Sequence, residues 1–148
     1  QEGEEKGMKR TGSAVWRGGI RDGRGAVSTE SGVLDGAQYS FATRFEEGKG
    51  TNPEELLAAA HAGCFSMALS KQVEDAGFKA DSINTTAAVR LEKTDAGFTI
   101  TKVHLDVTAR VPGADAAGFQ TAAANAKAGC PVSRLFNAEI TMEAKLEE

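Results

Sequence analysis

Residues 52–77 read NPEELLAAAHAGCFSMALSKQVEDAG, and this stretch decides how the rest of the chain is interpreted. Asn52 suits the N-cap of a helix, Pro53 suits its first position, and Glu55 is placed to close a capping box. The glycine at the end of the stretch favours a stop there. We therefore predict one continuous helix from Pro53 to about Asp75.

The helix carries a broad apolar surface that includes Cys64, one of the two cysteines of the chain. Residues three and four positions apart share one face of a helix. The set predicted to face the core is Ala60, Cys64, Met67, Ala68 and Lys71, widened by Leu56, Leu57, Ala59 and Phe65. We expect Cys64 to be buried, either as a small core residue or as a nucleophile that a cation activates.

Short β-type segments precede the helix. Between Ser13 and Phe45, the chain is interrupted by dipeptides that suit tight turns, namely Gly18-Gly19, Asp22-Gly23 and Asp35-Gly36. These dipeptides predict an antiparallel meander of short strands.

A hairpin, a second helix and a last strand follow the long helix. Alternation predicts two strands, joined at Asp95-Ala96-Gly97, whose apolar sets are Ile83, Thr85, Ala87, Val89, Leu91 and Val103, Leu105, Val107, Ala109, Val111. Asp115 is expected to cap an alanine-rich helix that ends at Gly129, with apolar residues Phe119, Ala122, Ala123 and Ala126. Alternation from Ala138 to Leu146 predicts the last strand. This order predicts an α+β fold in which antiparallel sheets pack on two main helices.

The composition is typical of one globular domain, because 41% of the 148 residues are hydrophobic. The net charge of −4 disfavours nucleic acid and anionic membranes as partners, and no apolar run reaches the roughly 20 residues of a membrane span. We expect residues 1–11 to be a flexible leader or an expression scar, and residues 12–148 to be a single domain in the cytoplasm. A permanent disulfide is disfavoured there, which favours a transient catalytic pair.

The second cysteine lies in Ala128-Gly129-Cys130-Pro131, where a helix is expected to begin. Unpaired N–H groups at a helix N-terminus stabilise a thiolate, so local structure favours Cys130 over Cys64 as the nucleophile. His61, one turn before Cys64, is either a catalytic base or a histidine packed on the helix face. The spacing of the cysteines and histidines does not suit structural zinc, so no metal is expected.

Five segments of the chain form a set of motifs, namely Val27-Ser28-Thr29-Glu30-Ser31-Gly32-Val33-Leu34, Thr43-Arg44-Phe45, Gly50-Thr51-Asn52-Pro53-Glu54-Glu55-Leu56, Ala60-His61-Ala62-Gly63-Cys64-Phe65-Ser66-Met67 and Ala128-Gly129-Cys130-Pro131-Val132-Ser133. Together they closely resemble the OsmC/Ohr peroxidases, in the osmotically inducible protein C branch. The resemblance extends from about Gly12 to the C-terminus and implies an OsmC-like fold.

The resemblance implies a thiol-dependent peroxidase that reduces organic hydroperoxides, and hydrogen peroxide less well, without metal, haem or flavin. It makes Cys64 the peroxidatic cysteine, Cys130 the resolving cysteine, Arg44 the partner of the thiolate, and Glu54 the carboxylate that orients Arg44. The implied cycle passes through a Cys64 sulfenic acid and a Cys64–Cys130 disulfide, which an external dithiol of lipoyl-linked or thioredoxin type reduces. Without the flanking motifs, Arg44 and Glu54 would be interpreted as an ordinary ion pair.

The resemblance also implies an intertwined homodimer with active sites shared between the subunits. On one continuous helix, Glu54 and Cys64 lie about 15 Å apart along the axis, so a second chain is expected to complete the site. Candidate residues for the wall of a hydroperoxide pocket are Phe45, Leu56, Phe65, Met67 and Phe136. Candidate hydrogen-bond donors to the peroxide or the resolving sulfur are Ser66, Ser133 and Asn52.

Two other classes of function stay open at this point. One is a redox sensor that oxidises the same two cysteines without turnover, and the other is a non-catalytic binding protein whose cysteines are core residues. Within the enzyme class, the sister Ohr branch is the nearest competitor, although the contexts Thr29-Glu30-Ser31-Gly32 and Asn52-Pro53-Glu54-Glu55 favour the osmotically inducible branch.

Overall fold

A computed structural model describes residues 7–46 and 48–147 of the chain. Contacts divide the chain into two compact units, of which one reaches Pro53 and the other begins at Glu54. Among the described residues, no helix has both the length and the apolar character that crossing a membrane requires. The single domain expected over residues 12–148 stays a prediction.

The first unit contains a three-stranded antiparallel meander, as the turn dipeptides predict. β1 (Gly12–Arg17), β2 (Arg24–Thr29) and β3 (Ala37–Tyr39) pair in chain order. Gly18 and Gly36 adopt positive φ values of 96° and 72° in the connections, a conformation that glycine reaches without steric cost. The leader expected over residues 1–11 lies partly outside the described residues.

A short helix, α1 (Phe41–Phe45), follows β3, where the sequence predicts β structure up to Phe45. This part of the prediction is wrong. The Thr43 N–H donates to the Ser40 hydroxyl at 3.3 Å, and the Ser40 N–H donates to the Thr43 hydroxyl at 2.7 Å. Such a reciprocal capping box starts a helix, and its two residues are visible in the sequence. The helix places Arg44 in its last turn.

The second unit contains most of the long helix and a second three-stranded sheet. α2 (Pro53–Asp75) has the predicted bounds. The other elements, in chain order, are β4 (Ser82–Thr94), β5 (Gly97–Arg110), α3 (Ala116–Gly129), α4 (Pro131–Leu135) and β6 (Glu139–Glu147). β4 and β5 form the predicted hairpin, and β6 pairs with β5 in parallel. The connection through α3 and α4 is long enough for this parallel pairing, and antiparallel pairing dominates the two sheets.

β5 lies between β4 and β6, and its alternate residues form the centre of the core. The inward set is the predicted one, and its members are at most 3% exposed: Val103, Leu105, Val107, Ala109 and Val111. α3 adds the four predicted residues, Phe119, Ala122, Ala123 and Ala126. The Asp115 carboxylate accepts a hydrogen bond from the Gly118 N–H at 3.0 Å and caps α3, also as predicted.

The buried face of α2 matches the predicted one only in part. Its core residues are His61, Phe65, Leu69 and Val73, joined by the buried Glu54 of the first turn. Phe65 belongs to the predicted set, whereas His61 and Leu69 follow predicted positions by one residue, which corresponds to a rotation of about 100° around the helix axis. Met67, expected in the core, is 77% exposed in the single chain. The prediction failed because alanines make α2 apolar on most sides, and the large side chains at four-residue spacing choose the face.

The rotated face gives a direct test on two residues of one helix. We expect Leu69→Ala to lower the free energy of unfolding by about 2–5 kcal/mol, because it opens a cavity in the core. Met67→Ala, two residues earlier, is expected to cost less than about 0.5 kcal/mol. Urea denaturation of both variants at several protein concentrations measures the difference. Equal losses of unfolding free energy in both variants at every concentration would contradict the observed face and support the one that the sequence predicts.

Candidate active site

The structure brings the two cysteines together within the second unit. Cys64 lies in the middle of α2, Cys130 is the N-cap residue of α4, and their side chains form a hydrogen bond. Both cysteines are free thiols. Cys130 is completely buried, whereas Cys64 is half-buried rather than buried as the sequence predicts. Cys64 is therefore the thiol that a solute can reach.

The surroundings of Cys64 act on its ionisation in opposite directions. Burial raises the pKa of the Cys64 thiol, and the hydrogen bond with Cys130 raises it further, while a hydrogen bond from the Val132 backbone lowers it. A backbone group favours a thiolate only by donating to it, so the Val132 N–H is the donor. The balance leaves the pKa of Cys64 above its ordinary value.

Val132 lies in the first turn of α4, where backbone N–H groups lack partners within the helix. The sequence predicts that such groups stabilise a thiolate at Cys130. In the structure, one of them donates to Cys64 instead. The N-terminus of α4 therefore acts on the accessible cysteine. The sequence did not predict this, because Val132 and Cys64 are far apart in the chain.

His61 is packed in the core beside the cysteines. It is completely buried, its Nε2 lies 2.7 Å from the Ser133 Oγ, and its ring makes a T-shaped contact with the Phe136 ring, with centroids 5.4 Å apart. Burial lowers the pKa of His61, which keeps the ring neutral. These observations favour the packed histidine over the catalytic base.

The three expected hydrogen-bond donors each have a partner in the fold. Ser133 pairs with His61, and the Ser66 Oγ lies 2.8 Å from the Thr85 Oγ1, which ties α2 to β4. In the first unit, the Asn52 side-chain amide donates to the Thr43 carbonyl at 3.0 Å. Their expected contacts with peroxide or sulfur therefore stay predictions.

Arg44 adjoins an apolar cavity of about 270 Å³ in the first unit. The cavity is lined by Trp16, Ile20, Tyr39, Ser40, Phe41, Arg44, Phe45 and Pro53. The Arg44 guanidinium lies 5.3 Å from the centre of the Phe45 ring. Among the expected pocket residues, Phe45 lines this cavity, whereas Phe65 is a core residue of the second unit. The sequence did not predict Trp16 and Tyr39 here, because they come from separate strands.

Glu54 lies in the first turn of α2 and is only 9% exposed. A buried carboxylate requires hydrogen bonds or a cation to offset its desolvation. Glu54 and Arg44 belong to different compact units. Their expected pairing, and the expected approach of Arg44 to Cys64, stay predictions.

The OsmC-like protein family model matches residues 46–145. This chain belongs to that family. Over 140 residues it is 56% identical to Peroxiredoxin OsmC of Escherichia coli (strain K12), covering 95% of this chain and 98% of that protein. Over 129 residues it is 28% identical to the organic hydroperoxide resistance protein OhrB of Bacillus subtilis (strain 168), covering 86% and 93%. The resemblance to the osmotically inducible branch of the OsmC-like family is confirmed.

Solved structures of OsmC-like proteins share the fold. The crystal structure of OhrB of Bacillus subtilis has a TM-score of 0.65 at 25% identity, and covers 93% of this chain and 98% of that one. An OsmC-like protein from Mycoplasma pneumoniae has a TM-score of 0.75 at 14% identity, over 95% of this chain and 99% of that one. The predicted OsmC-like α+β fold is therefore confirmed.

The buried His61 predicts how stability depends on pH. Its pKa is lowered in the folded chain, so below about pH 6.5 the unfolded chain binds a proton that the folded chain does not. We expect wild-type protein to lose stability relative to His61→Gln as the pH falls from 7 to 5, by up to about 1.4 kcal/mol per pH unit. Urea denaturation at each pH measures this. A constant difference between the two proteins would contradict a neutral, buried His61.

Proposed function

We propose that this protein is a thiol-dependent peroxidase that reduces organic hydroperoxides, and hydrogen peroxide less well, to the alcohol or water. One observation carries the proposal: two reduced cysteines are in hydrogen-bonding contact, and only one of them reaches the surface. Support comes from the relatives, because one is named a peroxiredoxin and another an organic hydroperoxide resistance protein.

In the first step, the Cys64 thiolate attacks the terminal oxygen of the hydroperoxide. The O–O bond breaks, an S–O bond forms, and the alkoxide leaves and takes a proton to become the alcohol. The sulfur is oxidised by two electrons to a sulfenic acid, and the peroxide is reduced. Cys64 suits this role because it is the more accessible thiol.

In the second step, the Cys130 sulfur attacks the Cys64 sulfur. The S–S bond forms, the S–O bond breaks, and the hydroxide leaves with the thiol proton as water. An external dithiol, lipoyl-linked or of thioredoxin type, then reduces the disulfide by two electrons and becomes a disulfide itself. The contact between the two side chains favours rapid resolution, because little movement brings the sulfurs together.

Cys64 requires a cation, because burial raises its pKa and only the thiolate attacks peroxide. We assign this role to Arg44, whose guanidinium stays charged and donates several hydrogen bonds, and we assign its orientation to Glu54. The apolar cavity beside Arg44 suits the organic part of a hydroperoxide. No metal, haem or flavin takes part in this cycle.

The proposal includes a homodimer with two equivalent sites, in which Arg44 and Glu54 of one chain serve Cys64 of the other. The continuous α2 supports this arrangement, because its geometry separates Glu54 from Cys64 of the same chain by about 15 Å along the axis. We place the dimer in the cytoplasm, where dithiol reductants maintain free thiols.

The two cysteines have separable roles in the cycle. We expect Cys64→Ser to abolish peroxide consumption, because no thiolate attacks. Cys130→Ser is expected to undergo one oxidation and then stall at the sulfenic acid or beyond, without turnover, because the sulfenic acid lacks its resolving partner. Consumption of cumene hydroperoxide, with thiol counts and mass mapping of the Cys64–Cys130 link, measures both. If the wild-type thiols are oxidised but an added dithiol supports no turnover, the protein is a redox sensor. If neither thiol reacts with peroxide, it is a binding protein.

Mixed dimers test whether Arg44 acts across the subunit interface. Arg44→Ala alone is expected to slow peroxide attack at neutral pH, because the Cys64 pKa rises further. A dimer of one Arg44→Ala chain and one Cys64→Ser chain then contains one complete site, if the sites are shared, and regains about half of wild-type activity. Differently tagged, co-expressed chains allow its purification.

Arg21→Ala is the control, because Arg21 lies 4.5 Å over the Phe41 ring in the same unit. No regain in the mixed dimer would place Arg44 and Cys64 of one site in the same chain.

A further inference from the structure

We propose that His61 and Ser133 form a positioning pair that holds the resolving Cys130 against Cys64 for disulfide formation. This inference rests on the proposed peroxidase function and adds two residues to the second step of the cycle. His61 and Ser133 do not contact the reacting sulfurs in this role; they act through the helices that carry them.

The geometry places two contacts side by side between α2 and α4. His61 precedes Cys64 by three residues on α2, and Ser133 follows Cys130 by three residues at the start of α4. Residues three apart on a helix lie on the same face. Cys64 contacts Cys130 and His61 contacts Ser133, so the two helices run antiparallel where they meet. A change in one contact therefore changes the distance in the other.

α4 depends on such an external contact. It has only five residues, and an isolated helix of this length is unstable in water. Its N-cap residue, Cys130, makes no side-chain capping hydrogen bond. The 2.7 Å hydrogen bond to the Ser133 Oγ and the ring contact with Phe136 join the middle of α4 and its C-cap residue to His61. His61 is thus a side chain of α2 that holds the segment after Cys130 in place.

The chemistry of His61 argues for more than core packing. Its Nδ1 is buried and has no hydrogen-bond partner among the described residues. An unpaired polar atom in the core costs free energy, which an apolar side chain of similar volume would avoid. An apolar side chain could not make the hydrogen bond between Nε2 and Ser133, and this bond explains why a histidine occupies the position. Because burial lowers the pKa of His61, the ring stays neutral and the contact persists through the cytoplasmic pH range.

The second step is the one that this contact controls. A disulfide requires the sulfurs at about 2.05 Å with a restricted dihedral angle, so Cys130 must approach Cys64 from a defined direction. If the segment after Cys130 moves away, the sulfenic acid on Cys64 persists. Excess peroxide then oxidises it to sulfinic acid. Movement of this segment would remove both the Val132 hydrogen bond, which lowers the pKa of Cys64, and the Cys130 hydrogen bond, which raises it. Because these two effects oppose each other, the first step is expected to change much less than the second.

Four variants test the proposal in single-turnover reactions with cumene hydroperoxide. His61→Leu and Ser133→Ala each remove the hydrogen bond, and His61→Gln retains an amide close to the position of Nε2. His104→Leu is the matched control, because this second histidine makes a similar contact, Nδ1 to the Thr141 Oγ1 at 2.6 Å, between β5 and β6. Stopped-flow measurement gives the rate of peroxide loss and the rate of disulfide formation. Mass spectrometry gives the fraction of sulfinic acid.

We expect His61→Leu and Ser133→Ala to slow disulfide formation by about tenfold or more, with peroxide loss within about twofold of wild type. Both variants should accumulate sulfinic acid, His61→Gln should recover most of the rate, and His104→Leu should behave as wild type. A fifth protein, the double variant His61→Leu/Ser133→Ala, should be no slower than the slower single variant, because both substitutions remove the same contact.

Wild-type rates of disulfide formation in folded Ser133→Ala would overturn the proposal, even if His61→Leu did not fold. An equal slowing of both steps in Ser133→Ala would also overturn it, because that result indicates a general structural defect. Failure of wild-type protein to consume peroxide would instead refute the proposed function.

Discussion

The burial of one face of β5 is the constraint on which the second unit depends. β5 is the central strand of its sheet, and its inward side chains are apolar, so helices must cover them. Phe65 and Leu69 of α2 and Phe119 of α3 belong to the same buried cluster. Each such side chain contributes about 1.5–3 kcal/mol when fully buried. Cys130 belongs to this cluster, and Phe65 is the neighbour of Cys64 in the chain. Packing therefore sets the positions of the thiols before any chemistry begins.

The same packing creates an electrostatic problem at Cys64. A core that holds two cysteines in contact also removes water from them, and the pKa of Cys64 rises for that reason. The Val132 N–H offsets part of this effect from the N-terminus of α4. In the proposed cycle, Arg44 lowers the pKa of Cys64 further, because it is a permanent cation that reaches the thiolate from outside the core. In this proposal, core packing positions Cys64 and Arg44 activates it.

Local signals predicted the elements that depend on local physics. The caps and the alternating residues gave correct positions for α2, α3 and the hairpin of β4 and β5, because caps and side-chain period act within a few residues. α1 was missed although its capping box is local, since turn dipeptides suggested strands throughout that region. The predicted face of α2 was only partly correct, for another reason. An alanine-rich helix presents no unique apolar side, so the choice depends on what packs against it.

The sequence by itself determined the order of the elements other than α1, the family and the four residues to which the family resemblance points. Only the tertiary structure decided which groups surround Cys64. His61 and Ser133 are 72 residues apart in the chain, and their contact, like the hydrogen bond from Val132 to Cys64, exists only once α4 lies against α2. No sequence pattern encodes these contacts, because they depend on how two helices are rotated about their axes. That rotation is set by the packing of large side chains on β5.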